Sequence, residues 1–275
     1  MMKGFGLMVV LVWGLASCGD AMDQGPVKGT GLRVVNGAPS ADDAWPGVVL
    51  LYSRESGSIC TGTFITPEKL LTAAHCTAHG GGIDRNGRVE SGSLLIIEVD
   101  TEEMVITDVL GESLAMHRHP SADDDWDFTP EIPEATVNRY DIAVLTFPRG
   151  YSDHVVPLAT RSPRSGDVLT IVGYGLDQNH SRGDSSSCCT KREGINEVES
   201  VGEGLIRFRG ADRTTTADGT EVSAAPGDSG GPLFIDGRQV GVTSGGRRSL
   251  FGRTSESMFV DLTSSSSRSF LRSAR

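Results

Sequence analysis

Short apolar runs rich in Val, Ile, Leu and Phe recur along the chain, at 48–52, 61–65, 94–99, 105–110, 142–147, 168–172, 205–208, 232–235, 239–243 and 258–262. Clusters of Gly, Pro, Asp and Ser mostly separate them. Gly alone accounts for 35 of the 275 residues, well above the usual share of about 7%, which suits a chain of many tight turns. Short strands punctuated by turn signals predict an all-β sandwich or barrel. Helical periodicity is missing except at the C-terminal end. There Asp261 or Thr263 is placed to cap a helix reaching toward Arg272, with Phe270 and Leu271 as its packing residues. The stretches 117–139 and 178–196 read as loops. The first holds Asp123-Asp124-Asp125-Trp126-Asp127, where a solvated acidic loop is a plainer reading than a calcium site. Residues 84–90 fail the EF-hand spacing. From Val34 onward no domain-sized linker or repeat appears, and a single all-β domain can reach this length.

The net charge is −11 and the pI about 5.0. An acidic body repels phosphate backbones, which argues against general nucleic-acid binding. Lys3 followed by the apolar run from Phe5 to Ala16 is too short to span a bilayer, which takes about 20 residues. It fits the apolar region of an export signal, covering 1–17. Leu15-Ala16-Ser17-Cys18 resembles the lipobox of bacterial lipoproteins, in which Cys18 becomes the lipidated N-terminus; a plain secretory signal with an incidental Cys is the alternative. Either way the chain is expected outside the cytosol, as an envelope lipoprotein or a secreted protein, where disulfides persist. Residues 18–33, polar with Gly and Pro, read as a linker or pro-segment. Of the 5 cysteines, Cys60 and Cys76 flank a short loop and Cys188 and Cys189 are adjacent. No CxxC pair or HExxH occurs, so no metal is expected.

The segment with most chemical content is Gly227-Asp228-Ser229-Gly230-Gly231-Pro232. Its Gly-x-Ser-x-Gly core also describes the nucleophile elbow of α/β-hydrolases, in which the catalytic His follows the Ser. All 6 histidines here precede Ser229, so the elbow reading lacks its base. A serine hydroxyl is a poor nucleophile until a base takes its proton. Thr72-Ala73-Ala74-His75-Cys76 supplies a His in a distinctive setting. Tyr140-Asp141-Ile142-Ala143-Val144-Leu145 puts Asp141 at the head of an apolar strand, where a partly buried carboxylate can orient the imidazole. The order His75, Asp141, Ser229 is that of chymotrypsin.

With these motifs together, the chain resembles the trypsin-like (chymotrypsin) family of serine proteases over 34–275, and Val172-Gly173-Tyr174-Gly175 adds to the likeness. The resemblance implies two six-stranded antiparallel β-barrels with the active site in the cleft between them, and a short C-terminal helix. It implies an endopeptidase that needs no cofactor, acts as a monomer on protein or peptide substrates, and has Gly227 and Ser229 N–H groups as its oxyanion hole. Arg33-Val34-Val35-Asn36-Gly37 resembles the family's activation site. Cutting after Arg33 by an activating protease would free the Val34 amine to pair with Asp228. Cys60 and Cys76 match the disulfide that ties down the His loop. Cys188 and Cys189 match no family spacing, leaving a strained vicinal bridge or intermolecular pairing open.

The same resemblance places Ser223 at the base of the primary pocket, predicting an uncharged side chain before the cut. Ala225 stands where the family often has Cys. Ser244 and Gly246, in Thr243-Ser244-Gly245-Gly246, fall on the strand that pairs with substrate backbone. Arg247 and Arg248 beyond it read as a solvated turn in preference to a site for acidic substrate residues. Glu256-Ser257-Met258 is expected to form the far wall, where a Ser257 side chain would narrow the pocket. Two rival readings stand beside the endopeptidase: an inactive homologue used as a binding module, and a serine hydrolase acting on esters.

Overall fold

The computed structural model describes residues 34–41, 43–54, 56–77, 94–122, 137–176, 189–248 and 254–274, with the backbone of 88–89. The chain runs through β1 (Ala38–Pro39), β2 (Val48–Ser53), β3 (Ile59–Thr66), β4 (Lys69–Thr72), a single 3₁₀ turn (His75–Thr77), β5 (Arg88–Val89), β6 (Leu94–Asp100), β7 (Val105–Glu112), β8 (Ala115–Arg118) and β9 (Ala143–Thr146). It continues through β10 (Val168–Gly173), β11 (Arg192–Glu197), β12 (Ser200–Gly202), β13 (Leu205–Ala211), β14 (Pro232–Ile235), β15 (Arg238–Arg248), β16 (Thr254–Asp261) and the helix α1 (Ser265–Ala274).

Two antiparallel sheets result, ordered β5-β8-β9-β4-β3-β2-β6-β7 and β1-β11-β10-β14-β15-β16-β13-β12. They form the two barrels of a trypsin-like fold. The first encloses Leu51, Phe64, Leu70, Leu71, Ile142, Leu145 and Phe147, and α1 covers this core with Phe270 and Leu271. The second encloses Leu169, Ile171, Ile206, Phe208, Leu233 and Phe259. Each such side chain, fully buried, contributes about 1.5–3 kcal/mol. Between the two, Trp45 stacks on Phe234 at 4.3 Å.

The helix begins at a different cap from the one the sequence predicts. Ser264 Oγ accepts the Ser267 N–H at 3.2 Å, and the Ser264 carbonyl accepts the Arg268 N–H at 3.0 Å. Asp261 caps the preceding turn instead, accepting the Thr263 N–H at 2.7 Å. The loop expected at 117–139 starts later, because His117 and Arg118 belong to β8 and pair with Val144 and Ala143 of β9. The loop expected at 178–196 ends in β11, which pairs with β10 along its whole length. Both acidic stretches weighed as calcium loops lie outside the described side chains, as do Cys18, Arg33 and Cys188.

Candidate active site

His75 is delivered by the tight exit of β4. Thr72, Ala73 and Ala74 are fully buried, so the chain cannot swing outward. Thr77 closes the turn, its hydroxyl and its N–H both donating to the Ala74 carbonyl, at 2.7 and 2.9 Å. The Cys60–Cys76 disulfide, across a separation of 16 residues, ties the turn to β3. Closing a loop of this size contributes roughly 3 kcal/mol in the chain-entropy picture.

Asp141 lies at the head of β9 with no solvent exposure. Its Oδ1 accepts the His75 backbone N–H at 2.8 Å, and its Oδ2 sits 2.6 Å from His75 Nδ1. The carboxylate therefore favours the neutral tautomer that carries its proton on Nδ1, with Nε2 unprotonated. Burial pulls the His75 pKa down, but the charge and hydrogen bond of Asp141 outweigh it and leave the pKa raised above 6.5; Arg118 opposes them weakly. The ring keeps 29% of its surface open.

Ser229 comes from the second barrel. Its carbonyl accepts the Thr61 N–H at 2.8 Å, and Cys76 Sγ lies 3.7 Å from the same oxygen. The next residue, Gly230, has φ +79°, and a Cβ there would lie 2.1 Å from Thr72 Oγ1 and 2.4 Å from the Thr61 carbonyl. Only glycine lets the Ser229 turn seat so closely on β3 and β4, where His75 leaves the barrel. The sulfurs of Cys60 and Cys76 and a ring nitrogen of His75 lie within 4.8 Å of one another. That group cannot hold a metal, because its sulfurs are spent in the disulfide.

Gly227, at φ +96°, precedes Asp228, and its carbonyl accepts the Thr61 hydroxyl at 3.0 Å. Among the described residues the N–H groups of Gly227 and Ser229 have no protein acceptor. Asp228 is 2% exposed; its two oxygens accept N–H groups from Gly175 at 2.8 Å and Ala225 at 2.9 Å. Burial pushes its pKa up to about 7 against those two donors. Gly173 and Gly175 are required here, since their Cβ atoms would stand 2.1 Å from Asp228 Oδ1 and 2.6 Å from its Cγ.

Val34 is fully buried against the second core. Val35 and Ser223 exchange backbone hydrogen bonds at 3.1 and 3.3 Å. The Ser223 hydroxyl donates to the Ala211 carbonyl at 2.5 Å. The Ala224 N–H donates to Ser257 Oγ at 2.9 Å. Gly246 lies opposite Ser257, and a Cβ on it would stand 2.4 Å from the Glu256 carbonyl. Arg247 is exposed, as expected, but it and Arg248 lie in β15 and not in a turn; the Arg247 Nε pairs with Glu256, whose other oxygen lies 4.0 Å from Arg209. Cys189 is disulfide-bonded, 6% exposed and at φ +81°; its partner lies outside the described residues.

Two residues gain connections that sequence reasoning missed. Ser244 donates its hydroxyl to Asp141 Oδ2 at 2.8 Å, and its Oγ accepts the Asn138 N–H at 3.2 Å. Its side chain thus supports the carboxylate, while its strand was the only feature read from the motif. Asn36, 3% exposed at φ +63°, accepts N–H groups from Thr215 and Thr216 at 2.9 and 3.1 Å. It also donates to the Thr220 carbonyl at 3.0 Å, and its own N–H reaches Thr214 Oγ1 at 2.9 Å. An Asn in a Val-Val-Asn-Gly run signals a left-handed turn, but not its distant threonine partners.

A likeness of fold reaches mouse neuropsin, described as a serine protease expressed in the limbic system of mouse brain: TM-score 0.55, 17% identity, 84% of this chain and 95% of that one. In sequence the chain is similar to trypsin iota of Drosophila melanogaster, 27% identical over 260 residues that cover 88% of this chain and 87% of the relative. It is also similar to the platelet-aggregating proteinase PA-BJ of Bothrops jararaca, 29% identical over 222 residues, 78% of this chain and 83% of the relative. The trypsin family profile matches residues 34–257. With the two barrels and this span of matched sequence, the chain belongs to the trypsin family of serine endopeptidases.

Proposed function

We propose that the protein is an exported serine endopeptidase in which Ser229 attacks the peptide carbonyl, His75 takes its proton and Asp141 holds the His tautomer. The observation that carries this reading is the buried Asp141 carboxylate on His75 Nδ1 at 2.6 Å, which leaves Nε2 as a base beside the Ser229 turn. Proton transfer from the hydroxyl to Nε2 lets Oγ bond to the carbonyl carbon. The N–H groups of Gly227 and Ser229, both without an acceptor among the described residues, receive the oxyanion. His75 then protonates the leaving amine, and water repeats the cycle on the acyl-enzyme. Asp141 and the Ser244 hydroxyl stabilise the imidazolium that forms. The base must be neutral, so turnover rises with pH through the raised His75 pKa.

The site is read as made in a precursor. Cutting after Arg33 frees the Val34 amine, and the buried Asp228, which has no cation among the described residues, is the partner for that charge. Residues 1–17 serve export and 18–33 form the pro-segment, with Cys18 lipidated. Activation then also releases the domain, 34–275, from the envelope. Ser223 in place of an acid favours an uncharged side chain before the cut. The enzyme would then cleave its own Arg33 poorly, and a separate protease would activate it.

Fluorophosphonate labelling at Ser229 with turnover of a peptide library tests the reading. Absence of both in protein starting at Val34 would leave a binding module, and ester turnover without peptide turnover would leave an esterase. Appearance of a Val34 N-terminus in purified precursor, but not in a Ser229→Ala control, would refute dependence on a second protease.

A further inference from the structure

We infer that the groove between α1 and residues 155–160 is a docking site for an extended peptide of a partner protein, one that alternates acidic with apolar residues. Residues 155–160 lie between β9 of the first sheet and β10 of the second. The groove holds about 450 Å³, within the roughly 300–1,000 Å³ of ordinary ligand pockets. None of its lining residues belongs to the site described above. Ile65, Val156, Leu158, Leu262 and Leu271 give it an apolar lining, and Arg268 and Arg272 of α1 stand beside them. Val155 also lines it and is 43% exposed.

Backbone and charge together select the occupant. The Val156 N–H donates to the Phe64 carbonyl at 2.8 Å, and the Ala159 N–H to the Gln239 carbonyl at 2.9 Å. Leu158 is bridged in parallel to Gln239 and so is extended. N–H groups alternate sides along an extended segment, so the Leu158 N–H faces away from β15, and no described residue accepts it. The carbonyl of an added strand satisfies such a donor, whereas a lipid tail in the groove would leave it unpaired. The chain as a whole carries −11, yet among the described residues no acid pairs with Arg268 or Arg272, while nearby Arg161 is spent on Asp167 and Asp236. Arg268 is held in place by a hydrogen bond from Nη2 to the Thr160 carbonyl at 2.5 Å. Residues four apart on a helix have Cβ atoms about 5–6 Å apart, and alternate residues of a strand lie about 6.5 Å apart. Two acids separated by one residue therefore match Arg268 and Arg272, and the residue between them turns to the apolar lining.

The test uses the Ser229→Ala chain as precursor and after a cut at Arg33, so that the outcome does not depend on the endopeptidase reading. A fluorescein-labelled Glu-Val-Glu-Val-Glu-Val peptide, followed by anisotropy, should bind both forms and bind less tightly as salt rises. Arg272→Glu and Val155→Asp, both at exposed positions, should each weaken binding by about 5-fold with Tm unchanged, the scale of a surface charge contact turned from attraction to repulsion. Arg272→Ala decides the matter if the charge reversal lowers Tm. A Lys-Val peptide of the same length should not bind. Equal affinity for an all-Glu peptide or for polyphosphate would show a bare anion site and overturn the inference, as would unaltered affinity in the folded variants. Binding to the cut form alone would assign the groove to the chain's own residues 18–33, and a dimer in sedimentation abolished by Val155→Asp would assign it to a second copy; either result overturns the inference too.

Discussion

Removing the charge of Asp228 should stabilise the uncut chain and inactivate the cut one. In the uncut chain this carboxylate is buried and its pKa is pushed up to about 7 from 3.8. Below about pH 3.8 the group is neutral whether folded or unfolded and costs nothing. As pH rises from there to about 7, the unfolded chain releases its proton first, and folding stability falls. A shift of this size corresponds to about 4 kcal/mol lost by pH 8. Asp228→Asn removes that loss, but one amide N–H then faces a backbone donor, Gly175 or Ala225, and a mismatched buried pair costs about 1–3 kcal/mol. The net gain expected at pH 8 is therefore about 1–3 kcal/mol, turning into a deficit of similar size at pH 4. Urea unfolding of uncut protein in a Ser229→Ala background measures it. His75, whose raised pKa supplies stability that is lost as pH climbs through it, is common to both proteins and cancels in the difference. After the cut, a Val34 ammonium beside Asp228 restores its charge, so the pH dependence of the difference should collapse or reverse. Parallel stability profiles of the two uncut proteins across pH 4–8 would refute the reasoning, because they would mean that Asp228 ionises without penalty.

Ser229→Ala should reduce kcat by about 10⁶-fold and Asp141→Asn by about 10⁴-fold, the latter through the wrong His75 tautomer, both measured with peptide substrate. Gly230→Ala should fail to fold or lose several degrees in Tm, since its Cβ would press on the Thr61 carbonyl at 2.4 Å and the Ala73 N at 2.8 Å; thermal unfolding decides. Asn36→Ala should cost about 1–3 kcal/mol of docking for the segment beginning at Val34. In cut protein this should lower the fraction that labels with fluorophosphonate; a full labelled fraction would show the Asn36 contacts to be dispensable.

Much of the fold could be read from sequence because each long strand carries its own apolar run, as in 168–172 or 232–235. The strands that escaped notice are held by backbone pairing more than by side-chain pattern. Arg192–Glu197 contains two Glu and an Arg, yet its amides and carbonyls ladder with Val168–Gly173 residue by residue. Ala115–Arg118 ends in His117 and Arg118, and its Arg118 is 3% exposed, a burial that composition argues against. The converse holds at β7, whose Val105, Val109 and Leu110 read as core but stand 44–48% exposed on an edge strand. At the site, the residues whose chemistry is rare stood out: one His after Thr-Ala-Ala, one Asp before Ile-Ala-Val-Leu, one Ser between glycines. What stayed hidden depends on direction in space. Ser244 sits where the register of β15 shifts against β16, between Thr243 and Gly245, and that irregularity aims its hydroxyl at Asp141. The bridge from Ser257 to Ala224 needs the pairing of β15 with β16 before its side-chain face is defined. A one-residue slip in that register would turn Ser257 away from Ala224 and bring Glu256 toward it. Contacts of this kind rest on strand register, which no run of residue types discloses, while the motifs that mark the family rest on residue identity, which the sequence carries openly.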